Sequence, residues 1–523
     1  MNTNRRFILG MLTGAGSVLL KSALNLLIVP LIIVRLGLDV FGLNILLIGL
    51  QEIAVFFGLG VANALVSLVG KNAHDEASRH RYFWAGHVFF AGVTVVFLLG
   101  ALGLIPFFAT LFHIPRALQP LLTWGLPLAL LEAALSIYAA YYQSVLLIHC
   151  EHRWTNTADS LQVILNNIGT IVILLLGGNL VGLILFRVVT AVLRIGFLIL
   201  RSLILEPALF QNAVLDTACF KQLSRLFGHA MTINLSVIVS HKLDAYVIAG
   251  FLPLTSVAVY DTVFRMLGLA NIICLKLSEG AFPLFSKMAG ERVDELTRKE
   301  NAVPLFLRLS QFIAFVGGLI LVVMVTQFPV VFPLFTAGRI PLHAAVPVLL
   351  IAIPCVFSGI MQMPAGSWLF AWGYQRYMTE TSLMTAIVNI VLSLLLVGPL
   401  GIVGVALGTL APQVIQHQAG LIRRSCQALK ISGRRYCETV YGRNLPAWLA
   451  AGLVIGLCYG ILSFYHLSFV EKSWRTLLPI GLISSMACLL SAAIWAFGNT
   501  TDAEKNRVHG FYTRYIARKA YSA

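Results

Sequence analysis

The sequence predicts an all-α polytopic membrane protein. About 14 transmembrane helices are expected, as two pseudo-symmetric six-helix lobes plus two C-terminal helices. Three observations lead there. The 523 residues are 59% hydrophobic and 11% charged, with a mean hydropathy of +0.87, whereas soluble domains run at about 45–50% apolar and about 25% charged. Apolar stretches that approach or exceed the roughly 20 residues needed to cross hydrocarbon recur from end to end. Lysine and arginine fall largely on one side when those stretches are threaded in alternation. The composition excludes a soluble enzyme, a disordered chain and a secreted disulfide scaffold. Continuous rather than alternating apolar runs argue against a membrane barrel.

The spans read at about 7–34, 41–66, 82–107, 120–148, 158–176, 181–203, 227–250, 256–282, 304–327, 343–370, 378–397, 401–421, 445–464 and 475–497. The first follows Arg5-Arg6 and carries Lys21 and Pro30. It is no twin-arginine signal, because Phe7 follows the arginine pair directly and the apolar run continues too far. Polar residues interrupt the second and eighth spans. The fourth, with Pro127 and Glu132, ends at His149-Cys150-Glu151-His152. Those are metal-ligand types, but they sit in a short polar turn with no partner pair, so a loop is the better reading. The sixth span holds Arg187 and Arg194, and the seventh Lys242 and Asp244. The eighth holds Asp261, Arg265 and Lys276, and the ninth begins with Arg308. Pro354 and Pro364 fall in the tenth span and Pro412 in the twelfth, where lost backbone donors permit kinks. Trp124, Trp448, Tyr465 and Trp474 mark span ends, as interfacial anchors do.

With the N-terminus inside, the inner segments hold 25 Lys and Arg and the outer ones 5, namely Arg35, Arg116, Arg339, Lys472 and Arg475. This asymmetry places both termini in the cytoplasm. It also accounts for the net charge of +16 without invoking nucleic acid. The basic tail (Lys505, Arg507, Arg514, Arg518, Lys519) suits anionic lipid heads. Eight cysteines are present; none falls in an outer loop, so disulfides are not expected. Asp39 and Glu471 are the only outer acids, too few and on loops too short for an external catalytic domain. No GxxxxGK[ST] loop is present. Transport rather than catalysis is expected, with no cofactor and no metal site.

A weak repeat divides the chain. Arg35-Leu36-Gly37-Leu38-Asp39-Val40-Phe41-Gly42 and the turn Phe251 to Tyr260 each end one span and open the next. Gly60-Val61-Ala62-Asn63-Ala64 before Lys71 matches Glu279-Gly280-Ala281-Phe282-Pro283 before Lys287. The expected domains are an N-lobe at 1–203, a cytoplasmic linker at 204–226 and a C-lobe at 227–421. A basic loop with the last two spans takes 422–497, and a basic tail 498–523. Parallel repeats about an axis along the membrane normal place a substrate site between the halves.

These residues bring a family into view. Asp244-Ala245-Tyr246-Val247-Ile248-Ala249-Gly250-Phe251-Leu252, then Ser256 to Tyr260 and Pro283-Leu284-Phe285-Ser286, resemble the seventh-to-eighth helix region of polysaccharide-type flippases. Leu36-Gly37, Phe41-Gly42-Leu43 and Gly58-Leu59-Gly60 resemble their N-terminal region. Gly401-Ile402-Val403-Gly404-Val405-Ala406-Leu407-Gly408-Thr409 resembles their twelfth helix. The likeness is to the MOP superfamily, in its branch of Wzx-type flippases for lipid-linked oligosaccharides and O-antigen. Cys150-Glu151-His152-Arg153-Trp154 matches the family's basic turn only loosely, and Pro253 replaces a polar turn residue. The resemblance implies translocation of an undecaprenyl-pyrophosphate-linked oligosaccharide across a bacterial inner membrane for O-antigen or exopolysaccharide synthesis. A polysaccharide polymerase and a chain-length regulator are the implied partners.

Charges at membrane depth cost about 2.5–3.5 kcal/mol each on insertion scales and face cavities or partners. A pyrophosphate needs a cationic, wet chamber, where Arg offers a planar fork and Lys a point charge. Lys21 and Arg265 are the first candidates to bind it, followed by Arg194, Lys242 and Arg187. Each also has a structural reading: Lys21 can pair with Glu52, Lys276 with Glu279, and Asp159 with a neighbouring base. Lys242 and Asp244 are two apart and point to different helix faces. Asp244, Glu132 and Glu52 are candidates for binding a coupling proton or sodium ion. The alternative reading is a MATE-like, cation-coupled multidrug exporter, which prefers surplus carboxylate. The clustering of bases around spans one, six, seven and eight tilts toward an anionic substrate.

Overall fold

The structure is a computed structural model that describes residues 28–71, 76–149, 151–207, 209, 216–278, 281–289, 294–464 and 477–499. The candidate Lys21, the anchors Tyr465 and Trp474 and the basic tail lie outside the described residues. Helices joined by short turns make up the described chain, with no strand among those residues. In chain order the helices are α1 (28–36), α2 (Leu38–Lys71), α3 (Glu76–Leu111), α4 (Gln119–Ile148), α5 (His152–Leu175) and α6 (Leu180–Leu205). There follow α7 (Thr217–Phe251), α8 (Leu254–Ser278), the short α9 (Ala281–Ala289), α10 (Glu295–Phe335), α11 (Leu342–Ala371) and α12 (Gln375–Val414). Two short helices, α13 (Arg423–Ala428) and α14 (Gly433–Cys437), precede α15 (Leu445–Phe464) and α16 (Leu477–Asn499).

Nine helical segments among the described residues are long and apolar enough to cross a membrane. One of them, Gln375–Ala428, has 54 residues, well beyond what one crossing needs. It is broken at Gly401, whose φ of 59° and ψ of −138° belong to a region open essentially to glycine alone. The chain folds back there. A Cβ at Gly404 would collide with the Leu396 carbonyl, and one at Gly408 with the Ser393 backbone. The glycines of the second arm therefore let it lie against the backbone of the first, as two antiparallel helices at 378–397 and 401–421 require.

Several boundaries differ from the sequence reading. The outer link expected at 328–342 is helical to Phe335, despite Pro329 and Pro333. In an apolar setting the helix is the way to satisfy the remaining backbone groups, so prolines are tolerated within it. The end is closed by Gly338, whose N–H donates to the Pro333 carbonyl at 2.7 Å. Residues 217–226, assigned to a linker, are the first turns of α7; Asp216 caps them, accepting from the N–H groups of Ala218 (2.8 Å) and Cys219 (3.3 Å). The basic loop after residue 422 contains α13 and α14, the latter capped by Ser432.

The residues divide into two compact units. The first runs to Ile272 and adds Phe332–Ser358 and Tyr374–Gly420. Within it α2 packs on α4 and α7, α4 on α6, α5 on α6, and α12 on α7. Its core sets Phe83 and Phe90 of α3 against Tyr141 and Val145 of α4, Leu198 of α6 and Leu223 of α7. The Tyr141 hydroxyl, too polar to be buried alone, donates to the Phe83 carbonyl at 3.1 Å. The second unit takes Ile273–Val331, Gly359–Gly373 and the residues from Leu421. There Ala447 and Ala451 of α15 let the helix approach Phe315 and Leu319 of α10, and the Trp448 indole donates to the Phe315 carbonyl at 3.2 Å.

Candidate functional site

A cavity of about 210 Å³ lies within the first unit, walled by α1, α2, α4, α5, α6 and α8. Helical spacing explains the wall. On α2, Asn44, Ile48, Gln51 and Glu52 share one face at separations of three, four and seven; on α5, Gln162, Asn166 and Thr170 repeat every four residues, with Val163 and Asn167 beside them. Glu132 comes from α4, Arg187 from α6 and Arg265 from α8, while Ile28, Val29 and Ile32 of α1 supply an apolar side.

The charged side chains are paired. Arg187 forms a two-pronged bond to Glu132, Nη2 to Oε2 at 2.6 Å and Nε to Oε1 at 3.2 Å. Its Nη1 is buried with no acceptor among the described residues. Arg265 donates to Asp261 one turn earlier through Nε (2.9 Å) and Nη2 (2.7 Å). Lys242 Nζ reaches Glu52 at 2.6 Å. The pairing expected between Lys21 and Glu52 concerns a lysine outside the described residues; Glu52 is held by Lys242. Arg194 donates to Asp159 at 2.8 Å, so Asp159 serves as a partner for a base. Glu279, the expected partner of Lys276, also lies outside the described residues.

Of the eight site candidates, the cavity wall gathers Arg187, Arg265, Glu132 and Glu52. Lys242 is tied to it through Glu52. Arg194, two turns further along α6, is not among the described lining residues. Asp244 sits elsewhere, 5% exposed, where Oδ2 accepts from the hydroxyls of Tyr260 (2.5 Å) on α8 and Thr409 (2.8 Å) on α12. Lys242 and Asp244 thus do point apart. Beyond Thr409 the polar chain continues through Gln413, which accepts from Cys355 at 3.1 Å, to His417 beside Ser358 at 3.2 Å.

The sequence reading expected a surplus of positive charge in this chamber. The described wall is balanced, two guanidiniums against two carboxylates. The reason is electrostatic: a lone charge away from water is costly, and an acid on a facing helix removes most of that cost. Sequence reasoning missed the carboxamides of Asn44, Gln51, Gln162, Asn166 and Asn167. Their signals are the polar stripe Gln162, Asn166, Thr170 in the fifth span and the polar residues that interrupt the second. Part of the stripe joins helices: Thr190 of α6 donates to Asn166 Oδ1 at 2.5 Å. The residues around the turn after α4 are used structurally, with His149 Nε2 3.0 Å from Glu206 and Arg153 donating to Glu151 at 2.8 Å.

No protein-family model and no curated protein sequence matches the chain. Solved structures do match. The lipid II flippase MurJ, in an inward closed conformation, superposes with a TM-score of 0.65 at 14% identity, over 92% of this chain and 98% of that one. An inward-facing multidrug resistance MATE family transporter of the MOP superfamily gives 0.64 at 16% identity, over 78% and 95%. A MOP superfamily transporter from Pyrococcus furiosus, described as having a binding pocket of reversed polarity, gives 0.54 at 18% identity, over 82% and 96%. At such identities the likeness is one of fold: the chain has the fold of MOP superfamily transporters.

Proposed function

We propose that the protein is a flippase that carries a polyprenyl-pyrophosphate-linked oligosaccharide across a bacterial inner membrane, for O-antigen or exopolysaccharide synthesis. One observation carries this reading: Arg187 and Arg265, on different helices, line one polar cavity between membrane-spanning segments. A polar void there suits an amphiphile whose head must avoid hydrocarbon while its tail stays in lipid. Arg187 keeps a donor at Nη1 that no described residue uses, and a phosphate oxygen is the acceptor a guanidinium fits best. Lys21, Lys242 and Arg194 are proposed as further stations for the diphosphate. The likeness of fold to a lipid II flippase agrees with a lipid-linked cargo. Two lobes of six helices rock to alternate the access of the head group, and a proton or sodium ion bound at Asp244, Glu132 or Glu52 drives the cycle. Membrane insertion, with both termini cytoplasmic, follows from the distribution of Lys and Arg. A glycan polymerase and a chain-length regulator are the proposed partners.

The second reading, a cation-coupled multidrug exporter, draws on Glu52 and Glu132 in the same wall and on the MATE neighbour. Deletion of the gene in its host separates the two. Accumulated lipid-linked repeat units with loss of surface glycan is the expected result. Intact glycan with raised drug sensitivity would transfer the assignment to the exporter.

A further inference from the structure

We infer that the carboxamide wall of the cavity is a saccharide subsite, in which Asn44, Gln162, Asn166 and Asn167 bind the hydroxyls of one neutral pyranose ring of the cargo. The inference rests on the flippase reading above and adds to it the part of the head group that the charged residues do not address. Asn44 and Asn167 are 4% and 5% exposed, yet the side chains of Asn44, Gln162 and Thr170 make no hydrogen bond to any described residue. Their polar atoms are not sealed in packing but open on the void, so they stand as donors and acceptors for whatever enters it. Asn166 and Asn167 each keep one end of the amide in hand: Asn166 accepts from Thr190 and leaves its NH₂, and Asn167 donates to the Val163 carbonyl at 2.6 Å and leaves its oxygen.

The chemistry of the open groups selects the ligand. A carboxamide presents a donor and an acceptor side by side without charge, as adjacent sugar hydroxyls do. Apart from Nη1 of Arg187, the charged groups of the wall are engaged in ion pairs, which leaves the neutral amides as the larger unspent set. Phe41, 2% exposed, and the isoleucines of α1 and α2 line the same void and meet the C–H faces of a ring. Size agrees: about 210 Å³ falls short of the about 300–1,000 Å³ typical of clefts for drug-sized ligands, which suits the first sugar of the head group rather than a whole oligosaccharide. Arg187 and Arg265 share the wall, which puts the pyrophosphate next to the first sugar, in the order of the lipid-linked cargo.

The test uses the full chain in nanodiscs and two probes: polyprenyl pyrophosphate bearing one neutral hexose, and polyprenyl pyrophosphate without sugar. Asn44→Leu and Gln162→Met break no hydrogen bond within the described residues and conserve volume approximately, so both variants should fold. The parent should bind the glycosylated lipid more tightly. Each variant should lose about tenfold in affinity for it, the effect of one or two hydrogen bonds, with affinity for the bare lipid unchanged. Equal binding of the two lipids by the parent, or equal weakening of both in the variants, would overturn the subsite while leaving the flippase reading intact. Binding of neither lipid would instead remove the flippase reading, and the subsite with it.

Discussion

Replacement of Arg187 by glutamine tests whether the cavity wall is an electrostatic unit. The arginine holds Glu132 through two bonds, 2.6 and 3.2 Å long, and Glu132 is 3% exposed. Without the guanidinium, the shorter amide side chain can return at most one weaker bond, and the carboxylate stays buried with no counter-charge. Two unit charges about 4 Å apart attract by about 4 kcal/mol at an effective dielectric of about 20. Breaking one side of a buried pair costs about 3–5 kcal/mol in measured cases. Arg187→Gln should therefore lose about 3 kcal/mol or more of unfolding free energy, read from thermal or denaturant unfolding of the purified protein in detergent. Glu132→Gln alone should lose a comparable amount, because it strands the guanidinium. The double variant Glu132→Gln/Arg187→Gln should recover most of the loss, since two amides can bond to each other without a charge to solvate. Coupling of that size between residues 55 apart in sequence is expected only for direct contact. If the single variants stay within about 0.5 kcal/mol of the parent, or if the double variant loses their sum, the pair is not what holds this wall together.

Other substitutions probe separate links. Asp244→Asn keeps the shape of the site and an acceptor for Tyr260 and Thr409 while removing the ionisable group. Transport measured in vesicles should lose its dependence on a proton or sodium gradient with abundance unchanged, and a retained gradient dependence would exclude Asp244 as the coupling carboxylate. Gly401→Ala forces a side chain into the conformation at φ 59° and ψ −138°, at about 1–3 kcal/mol. A drop in melting temperature is expected, and an unaltered one would mean that the reversal between the arms of α12 does not need glycine. At the start of α7 the N–H groups of Ala218 and Cys219 hold the Asp216 carboxyl below its ordinary pKa. A carboxylate lowered in this way stabilises the fold above its unfolded pKa of about 3.9, and the contribution disappears as pH falls through the lower folded value. Asp216→Asn should flatten that acid limb of the stability profile, and identical acid limbs in the two proteins would refute the cap.

Helices and their order are legible in the sequence because the bilayer imposes one dominant rule: an apolar run near 20 residues must satisfy its backbone internally, hence as a helix. That rule does not report where a helix ends. Pro329 and Pro333 suggest an end, but α10 continues to Phe335; hydropathy drops before residue 227, but α7 begins at Thr217. Polar residues outside the apolar core still form helix when a cap such as Asp216 precedes them. The break at Gly401, by contrast, is visible in the sequence as the gap between two apolar runs.

The amino-acid sequence alone determined which charged residues stand against an apolar background: Arg187, Arg194, Lys242, Arg265, Glu52, Glu132 and Asp244 are read there directly. Tertiary structure decided whom each one meets. Glu132 and Arg187 are 55 residues apart, and Asp244 and Thr409 are 165 apart, distances over which no helical periodicity carries information. Local spacing sets the face on which a side chain sits; only the packing of α2, α4, α5, α6 and α8 around one void sets what that face sees. For the same reason the amides of α5 do not stand out in the sequence. An uncharged polar stripe acquires meaning when the opposite wall is in place, and that wall comes from helices folded against it across the chain.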